Sequence, residues 1–166
     1  MKEESKRKIS NPYTVLEGYN CFGCDPRNES GLQMEFEEEG EMIVSHWHPR
    51  SHFAGYKDVL HGGIQATLMD EMASWAVQTK LGTGGVTAQL DVRYKKPVYV
   101  TDRVIRLTGK IVSHNHRIAD VETALYDGNG QLCSTGHIRM FLYPEKIARE
   151  KLYYPGVDAF FKGSAK

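Results

Sequence analysis

The segment from His61 to Lys80 reads HGGIQATLMDEMASWAVQTK. Its apolar residues recur at every third or fourth position, which is the spacing of a helix. Only Asp70 and Glu71 bring charge into the segment before Lys80, and the glycine-rich sequence that follows ends the pattern. A helix that is apolar around most of its circumference is buried. We therefore predict one long buried helix over residues 62–80.

The sequence on both sides of this helix predicts β-strands. Strand-like segments lie at residues 32–37 and 42–47 before the helix, and at 86–94, 104–112, 118–126 and 132–142 after it. Asp127-Gly128-Asn129-Gly130 is typical of a hairpin turn between the last two strands. No helix separates the later strands, so they are expected to pair antiparallel. The predicted fold is α+β, with an antiparallel six-stranded sheet wrapped around one central helix.

Composition excludes several classes of partner. Lys plus Arg and Asp plus Glu both total 21, and this balance argues against a nucleic-acid partner. No apolar run reaches the ~18 residues needed to cross a membrane, and no apolar segment follows the N-terminal charges to form a secretory signal. The three cysteines are too few for a disulfide framework. We predict a cytoplasmic protein with a flexible tail at residues 1–17, one domain at 18–143 and a C-terminal extension at 144–166.

Two features of the predicted helix indicate chemistry. His61-Gly62-Gly63 marks its start, where glycines let a ligand approach and the first N–H groups lack partners. Such donors, with the helix dipole, suit a developing oxyanion. Asp70 lies in an otherwise apolar stretch, and burying an unpaired carboxylate costs free energy. We predict catalysis for Asp70, with a structural hydrogen bond as the alternative, whereas Glu71 is predicted to make an ion pair or to border the site.

The spacing of these two features predicts an oligomer. Gly62 and Asp70 are eight residues apart, about 12 Å along a helix. Reacting groups must approach to within about 3.5 Å, so the two residues cannot serve one carbonyl within a single chain. A two-fold axis relating two antiparallel helices would bring them together and would cover the exposed flank of each helix.

HGGIQATLMDE and VTAQLDVRYKKPV resemble the hotdog-fold thioesterases of the phenylacetate-degradation (PaaI-like) group and their 4-hydroxybenzoyl-CoA relatives. The resemblance runs from about Cys21 to Phe141. It implies the hotdog fold and hydrolysis of an acyl-CoA thioester to a free acid and CoA without a cofactor. It also implies a homodimer, or a homotetramer built as a dimer of dimers.

The resemblance also assigns roles to residues. Asp70 matches the family's catalytic carboxylate, which acts as a nucleophile or as a general base on water. Gly62 matches the backbone donor that polarises the thioester carbonyl. His61 matches a histidine that positions the thioester, and Thr87 matches a hydroxyl residue that orients the water or the carboxylate. The predicted substrate contacts are Gly55, Tyr56, Gly63 and Glu71. Gly55 departs from the family pattern, because relatives often carry Asn or Gln there.

Other functions remain as alternatives. Hotdog dehydratases carry a catalytic Glu fourteen residues after a histidine resembling His52, but this chain has Ala66 at that position. A non-catalytic acyl-CoA-binding protein would not need Asp70. Cys21 and Cys24 have the spacing of half a zinc site, and His46 and His48 are candidates to complete it. No second CxxC motif exists, and this one does not open a helix after a strand, so we predict neither a metal site nor redox activity.

Overall fold

A computed structural model describes residues 5–163. Its strands are β1 Lys6–Ile9, β2 Phe36–Glu39, β3 Met42–Trp47, β4 Gly85–Tyr94, β5 Ile105–His114, β6 Ile118–Tyr126 and β7 Leu132–Leu142, and its helices are α1 Gly62–Lys80 and α2 Glu145–Leu152. The strands form one sheet in the order β1-β2-β3-β5-β6-β7-β4, with every neighbouring pair antiparallel. The sheet packs around α1, which contacts β3 to β7. This arrangement is the hotdog fold, as predicted.

Helix α1 has the limits that the periodicity predicted, Gly62 to Lys80. Leu68, Met72 and Trp75 are among its buried residues. The helix lies close to the sheet at Gly109, where an added Cβ would lie 3.2 Å from Met72 Cβ. A second face is only half-buried and carries polar side chains: Thr67, Asp70, Glu71, Ser74 and Gln78. No helix within residues 5–163 is long and apolar enough to span a membrane.

The N-terminal region differs from the prediction. Residues 6–9 form β1 and pair with β2, so the sheet has seven strands rather than six. Lys6 and Arg7 make ion pairs with Glu39 and Glu38, at 2.8 and 2.7 Å. Pro12–Val15 forms a short 3-10 helix. A flexible tail is therefore wrong for residues 6–15, whereas residues 1–4 lie outside the described part. The charged composition suggested a solvated tail because charges that pair across a strand ladder have no local sequence signal.

The strand predicted at residues 32–37 begins only at Phe36. Gln33 has a φ of 52°, in the left-handed region, so the backbone cannot continue an extended strand through it. Instead, Leu32 N–H and Met34 N–H donate hydrogen bonds to the carbonyls of Phe22 and Gly23 in the preceding loop. Residues 32–34 therefore pair with this loop and do not join the sheet.

The C-terminal extension, which the sequence did not place, packs back onto the domain. Tyr154 and Phe160 are buried, and the Phe160 ring makes an edge contact with Trp75 at a centroid distance of 5.5 Å. Tyr154 also donates a hydrogen bond to the Gln78 carbonyl oxygen at 2.8 Å. Part of the α1 flank that we expected a partner helix to cover is thus covered by the chain itself.

The two edges of the sheet differ in character. β1 is four residues long and carries three charged side chains, features that discourage further strand pairing. β4 is ten residues long, and its apolar side chains Val86, Leu90 and Tyr94 are exposed. Phe141, paired with Val86 in the ladder, is exposed beside them. A long apolar edge of this kind is a surface for association.

Candidate active site

The N-terminus of α1 presents one free backbone donor. His61 caps the helix, because its Nδ1 accepts a hydrogen bond from Gly63 N–H at 2.9 Å. The His61 carbonyl oxygen accepts from Ile64 N–H at 3.0 Å. Among the described residues, no acceptor is found for the Gly62 N–H. Tyr94 Oη donates to the Gly62 carbonyl oxygen at 2.6 Å and so fixes this first turn from β4. The free donor is therefore Gly62, while the amide of Gly63 is already engaged.

Asp70 lies two turns further along α1 and is oriented by β4. Thr87 Oγ1 donates a hydrogen bond to Asp70 Oδ1 at 2.6 Å. Asp70 is half-buried and Thr87 is exposed. The described residues supply no hydrogen-bond partner to the other oxygen, Oδ2. The carboxylate is thus held by one oxygen and available through the other.

The structure brings the predicted residues into two groups. Gly62, Gly63 and His61 lie at the start of α1, and Asp70 and Thr87 meet beside its middle. Since α1 is continuous from Gly62 to Lys80, about 12 Å of helix separates the two groups within one chain.

Cavities flank the polar face of α1. One, of about 350 Å³, is lined by His52, Phe53, Ala54, His61, Gly63, Ile64 and Thr67. A second, of about 280 Å³, is lined by residues that include Tyr19, Cys21, Cys24, Glu71, Ser74, Gln78 and Gly85. Gly55 packs beside the His61 ring, where an added Cβ would lie 3.3 Å from Cδ2. The amide side chain that relatives carry there would therefore contact this histidine. Tyr56 is 85% exposed and lines neither cavity.

Glu71 does not make the ion pair that was one of its two predicted roles. No basic side chain in residues 5–163 pairs with it, and its neighbours are Cys21 and Cys24. Burial, with the nearby charge of Cys21, raises the pKa of Glu71 to about 7. Gly23 makes room for it, because an added Cβ there would lie 2.3 Å from Glu71 Cδ. Glu71 lines the second cavity, and its predicted place at the border of the catalytic site stays a prediction.

The raised pKa of Glu71 predicts a pH-dependent stability. Because the pKa is higher in the folded chain than its ordinary 4.5, Glu71 stabilises the fold fully below about pH 4.5, and this contribution is lost as the pH rises through about 7. Glu71→Gln removes the titration. We expect the variant to gain up to about 3 kcal/mol in free energy of unfolding relative to the wild type between pH 5 and pH 8.

Urea denaturation of both proteins across this range measures the difference. The thiol of Cys21 titrates in the same window with the opposite sign, because the Cys24 thiol lowers the pKa of Cys21 to about 6. The difference between wild type and variant largely removes that common contribution. A difference that stays constant from pH 5 to pH 8 would contradict the placement of Glu71.

Cys21, Cys24 and Glu71 are also the possible metal ligands that the described residues bring together. Each offers one ligand atom, and the three atoms lie within 4.8 Å of one another. His46 and His48, the predicted candidates, are not in this group, and His48 Nδ1 bonds the Arg103 carbonyl oxygen. No sequence pattern identified Glu71 as the third member, because the loop and the helix meet only in the folded chain.

A seven-stranded antiparallel sheet around one helix, with polar groups at the helix start and middle, defines a hotdog domain. Residues 57–134, just under half of the chain, match the model of the Thioesterase superfamily. The predicted resemblance to this superfamily is thereby confirmed. The narrower phenylacetate-degradation group stays a prediction.

Two curated relatives match part of the chain. An uncharacterized protein of Schizosaccharomyces pombe is 33% identical over 78 residues, which are 45% of this chain and 45% of that protein. A protein of Saccharolobus solfataricus named "Putative esterase" is 30% identical over 95 residues, 57% of this chain and 62% of its own length. The matched regions thus span only about half to three fifths of these relatives.

Solved structures share the fold at lower identity. A hypothetical thioesterase protein with coenzyme A from Streptococcus pneumoniae is 24% identical, with a TM-score of 0.61 over 68% of this chain and 87% of that one. A Streptococcus mutans protein bound to acetyl CoA is 18% identical, with a TM-score of 0.64 over 79% of this chain and 98% of that one. At these identities the likeness shows the hotdog fold.

Proposed function

We propose that this protein hydrolyses acyl-CoA thioesters to the free acid and CoA. The observation that carries the proposal is the half-buried carboxylate of Asp70, oriented by Thr87 and open at Oδ2, within a thioesterase-superfamily domain. Two of the solved structures above contain coenzyme A or acetyl CoA, which supports a CoA thioester as the ligand here.

The proposed chemistry needs a carboxylate and an oxyanion donor. Asp70 attacks the thioester carbonyl carbon or takes a proton from an attacking water, and both routes place negative charge on the carbonyl oxygen. The Gly62 N–H, at the positive end of the α1 dipole, stabilises that charge. CoA then leaves as a thiolate. His61 supports this geometry by occupying the Gly63 amide and leaving that of Gly62 free.

The exposed edge of β4 is where we propose that a second copy pairs. Two β4 strands meeting antiparallel would form one continuous sheet and bury the exposed side chains of Val86, Leu90 and Phe141. Thr87 and Tyr94, whose side chains donate hydrogen bonds to α1, would then lie at the interface. An isologous contact of this kind puts the same groups of both chains near one axis, as a shared site requires.

A non-catalytic acyl-CoA-binding protein is the alternative in another class. It would use the cavities without needing a carboxylate held by a hydroxyl, so the contact between Thr87 and Asp70 favours the enzyme. The dehydratase alternative would need an acid at position 66, where α1 carries a half-buried alanine.

We expect the purified protein to release free thiol from at least one member of a panel of acyl-CoA thioesters, with or without a chelator. A thiol-reactive dye measures this release, and calorimetry with the same thioesters measures binding. Binding without thiol release would identify an acyl-CoA-binding protein. Activity that a chelator abolishes and zinc restores would contradict the metal-independent mechanism.

We expect Thr87→Ala to lower kcat, because it removes the hydrogen bond that orients Asp70. A hydrogen bond to a charged group contributes about 1.5–3 kcal/mol, so a loss of about tenfold or more is expected. Thr87→Ser keeps the hydroxyl and should retain most of the activity. Equal losses in both variants would show that the methyl group of Thr87, and not its hydroxyl, is what matters.

A further inference from the structure

The loop of residues 18–31 places two cysteines against the polar face of α1. Cys21 Sγ and Cys24 Sγ are 2.6 Å apart, and both are free thiols. Glu71 of α1 lies with them, and we call these three residues the dithiol cluster. The mechanism proposed above uses none of the three.

The loop holds both sulfur atoms in place. Cys24 N–H donates to Cys21 Sγ at 3.2 Å, and the Tyr19 hydroxyl bonds Cys24 Sγ at 3.1 Å. Asn11 in turn donates to both Tyr19 Oη and the Cys24 carbonyl oxygen, at 3.1 and 2.9 Å. Gly23 between the cysteines lets the loop close over Glu71. The contact is therefore built by several residues and is not a chance approach of two side chains.

The two thiols differ in exposure and in ionisation. Both thiols line the 280 Å³ cavity, but Cys21 is half-buried whereas Cys24 is only 6% exposed. The bond from the Cys24 thiol, with backbone N–H groups, lowers the pKa of Cys21 to about 6. The same bond, with burial, raises the pKa of Cys24. The more exposed Cys21 is thus the sulfur that a disulfide in the cavity reaches first.

The spacing of the sulfurs favours a disulfide over a metal. Two thiolates on tetrahedral zinc at about 2.3 Å would be about 3.8 Å apart, and such a site takes four ligands. The sulfurs here are much closer, and the cluster provides three ligands. A disulfide bond of about 2.05 Å needs a smaller movement.

We propose that the dithiol cluster is a thiol–disulfide exchange site for small-molecule disulfides of the glutathione class. Cys21 attacks from the cavity, Cys24 resolves the mixed disulfide, and Glu71 accepts the proton of Cys24.

The exchange balances in two steps. The Cys21 thiolate attacks one sulfur of oxidised glutathione, forming a mixed disulfide and releasing one glutathione thiolate. The Cys24 thiol passes its proton to Glu71 and attacks Cys21 Sγ, which forms the protein disulfide and releases the second glutathione thiolate. Two electrons pass from the protein to glutathione, and the two thiol protons end on the two reduced glutathione molecules through Glu71 and solvent.

Intact-mass spectrometry of the reduced full-length chain after exposure to oxidised glutathione tests this proposal. The wild type should lose two hydrogens in mass and two of its three thiols, with no adduct remaining. Cys24→Ser should instead keep one glutathione on Cys21, and Cys21→Ser should react at least about tenfold more slowly, because Cys24 is buried. Cys133→Ser, which removes the buried thiol of β7, is the matched control and should behave as the wild type does.

Glu71→Gln removes the proposed proton acceptor and is expected to leave the chain folded. It should let the mixed disulfide on Cys21 accumulate before resolving, while circular dichroism reports a folded chain. An unreactive wild type, or a wild type that keeps its adduct, would overturn the proposal. So would zinc bound at one ion per chain that must be chelated before the thiols react, because the cluster would then be a metal site. None of these readouts depends on thioester hydrolysis.

Discussion

Replacing Asp70 with asparagine is expected to lower kcat for acyl-CoA hydrolysis by at least about 100-fold, since general-base catalysis alone contributes about 10²–10⁴-fold. The substitution keeps the size of the side chain, and its amide oxygen can still accept the hydrogen bond from Thr87. It removes the negative charge that makes Oδ2 a nucleophile or a base. Steady-state rates of thiol release, with circular dichroism as a test of folding, measure the effect.

Glu71→Gln is the matched control for this substitution. It makes the same chemical change one residue further along α1, where the side chain faces the dithiol cluster. We expect this variant to keep kcat within about tenfold of the wild type. If Asp70→Asn lowers kcat by less than about tenfold and Glu71→Gln lowers it more, Glu71 and not Asp70 is the catalytic carboxylate.

The central helix and the strands after it could be predicted because their signals are local. The apolar period over residues 62–80 gave both ends of α1, and 118–126 and 132–142 gave the limits of β6 and β7. β1 and the C-terminal segment lacked such signals. Lys6 and Arg7 become a strand only because Glu38 and Glu39 lie opposite, and Phe160 is buried only because Trp75 lies beneath it.

Some residues of the candidate site could likewise be predicted from the sequence, and others could not. The sequence pointed to Asp70 and Gly62 through a charge in an apolar helix and glycines at its start. Tyr94 was missed as a site residue, because a tyrosine at the end of an amphipathic strand has no distinguishing pattern until its hydroxyl reaches the Gly62 carbonyl. Glu71 was predicted to make an ion pair or to border the site, whereas its neighbours are two cysteines of a loop whose course the sequence does not reveal.

The separation of Gly62 from Asp70 makes a second strong prediction, that each active site combines groups from two chains. Gly62→Val is expected to abolish activity by placing a branched side chain at the oxyanion donor. Gly62→Ala is its milder control, because a Cβ at this position would meet Tyr94 at 3.5 Å, an ordinary contact. Asp70→Asn is inactive for the separate reason given above. A homodimer of either variant should therefore be inactive.

Mixing these two inactive variants should restore activity. In a mixed dimer, one site joins the unaltered Asp70 of one chain to the unaltered Gly62 of the other, while the second site carries both substitutions. Heterodimers purified by two different affinity tags should therefore reach about half the wild-type kcat per dimer, since one of two sites is intact. Subunit exchange is verified by native mass spectrometry. Verified heterodimers that stay inactive, although both variants are folded, would show that one chain holds a complete site. The Gly62 N–H and the Asp70 carboxylate that act together would then not be separated by about 12 Å along α1.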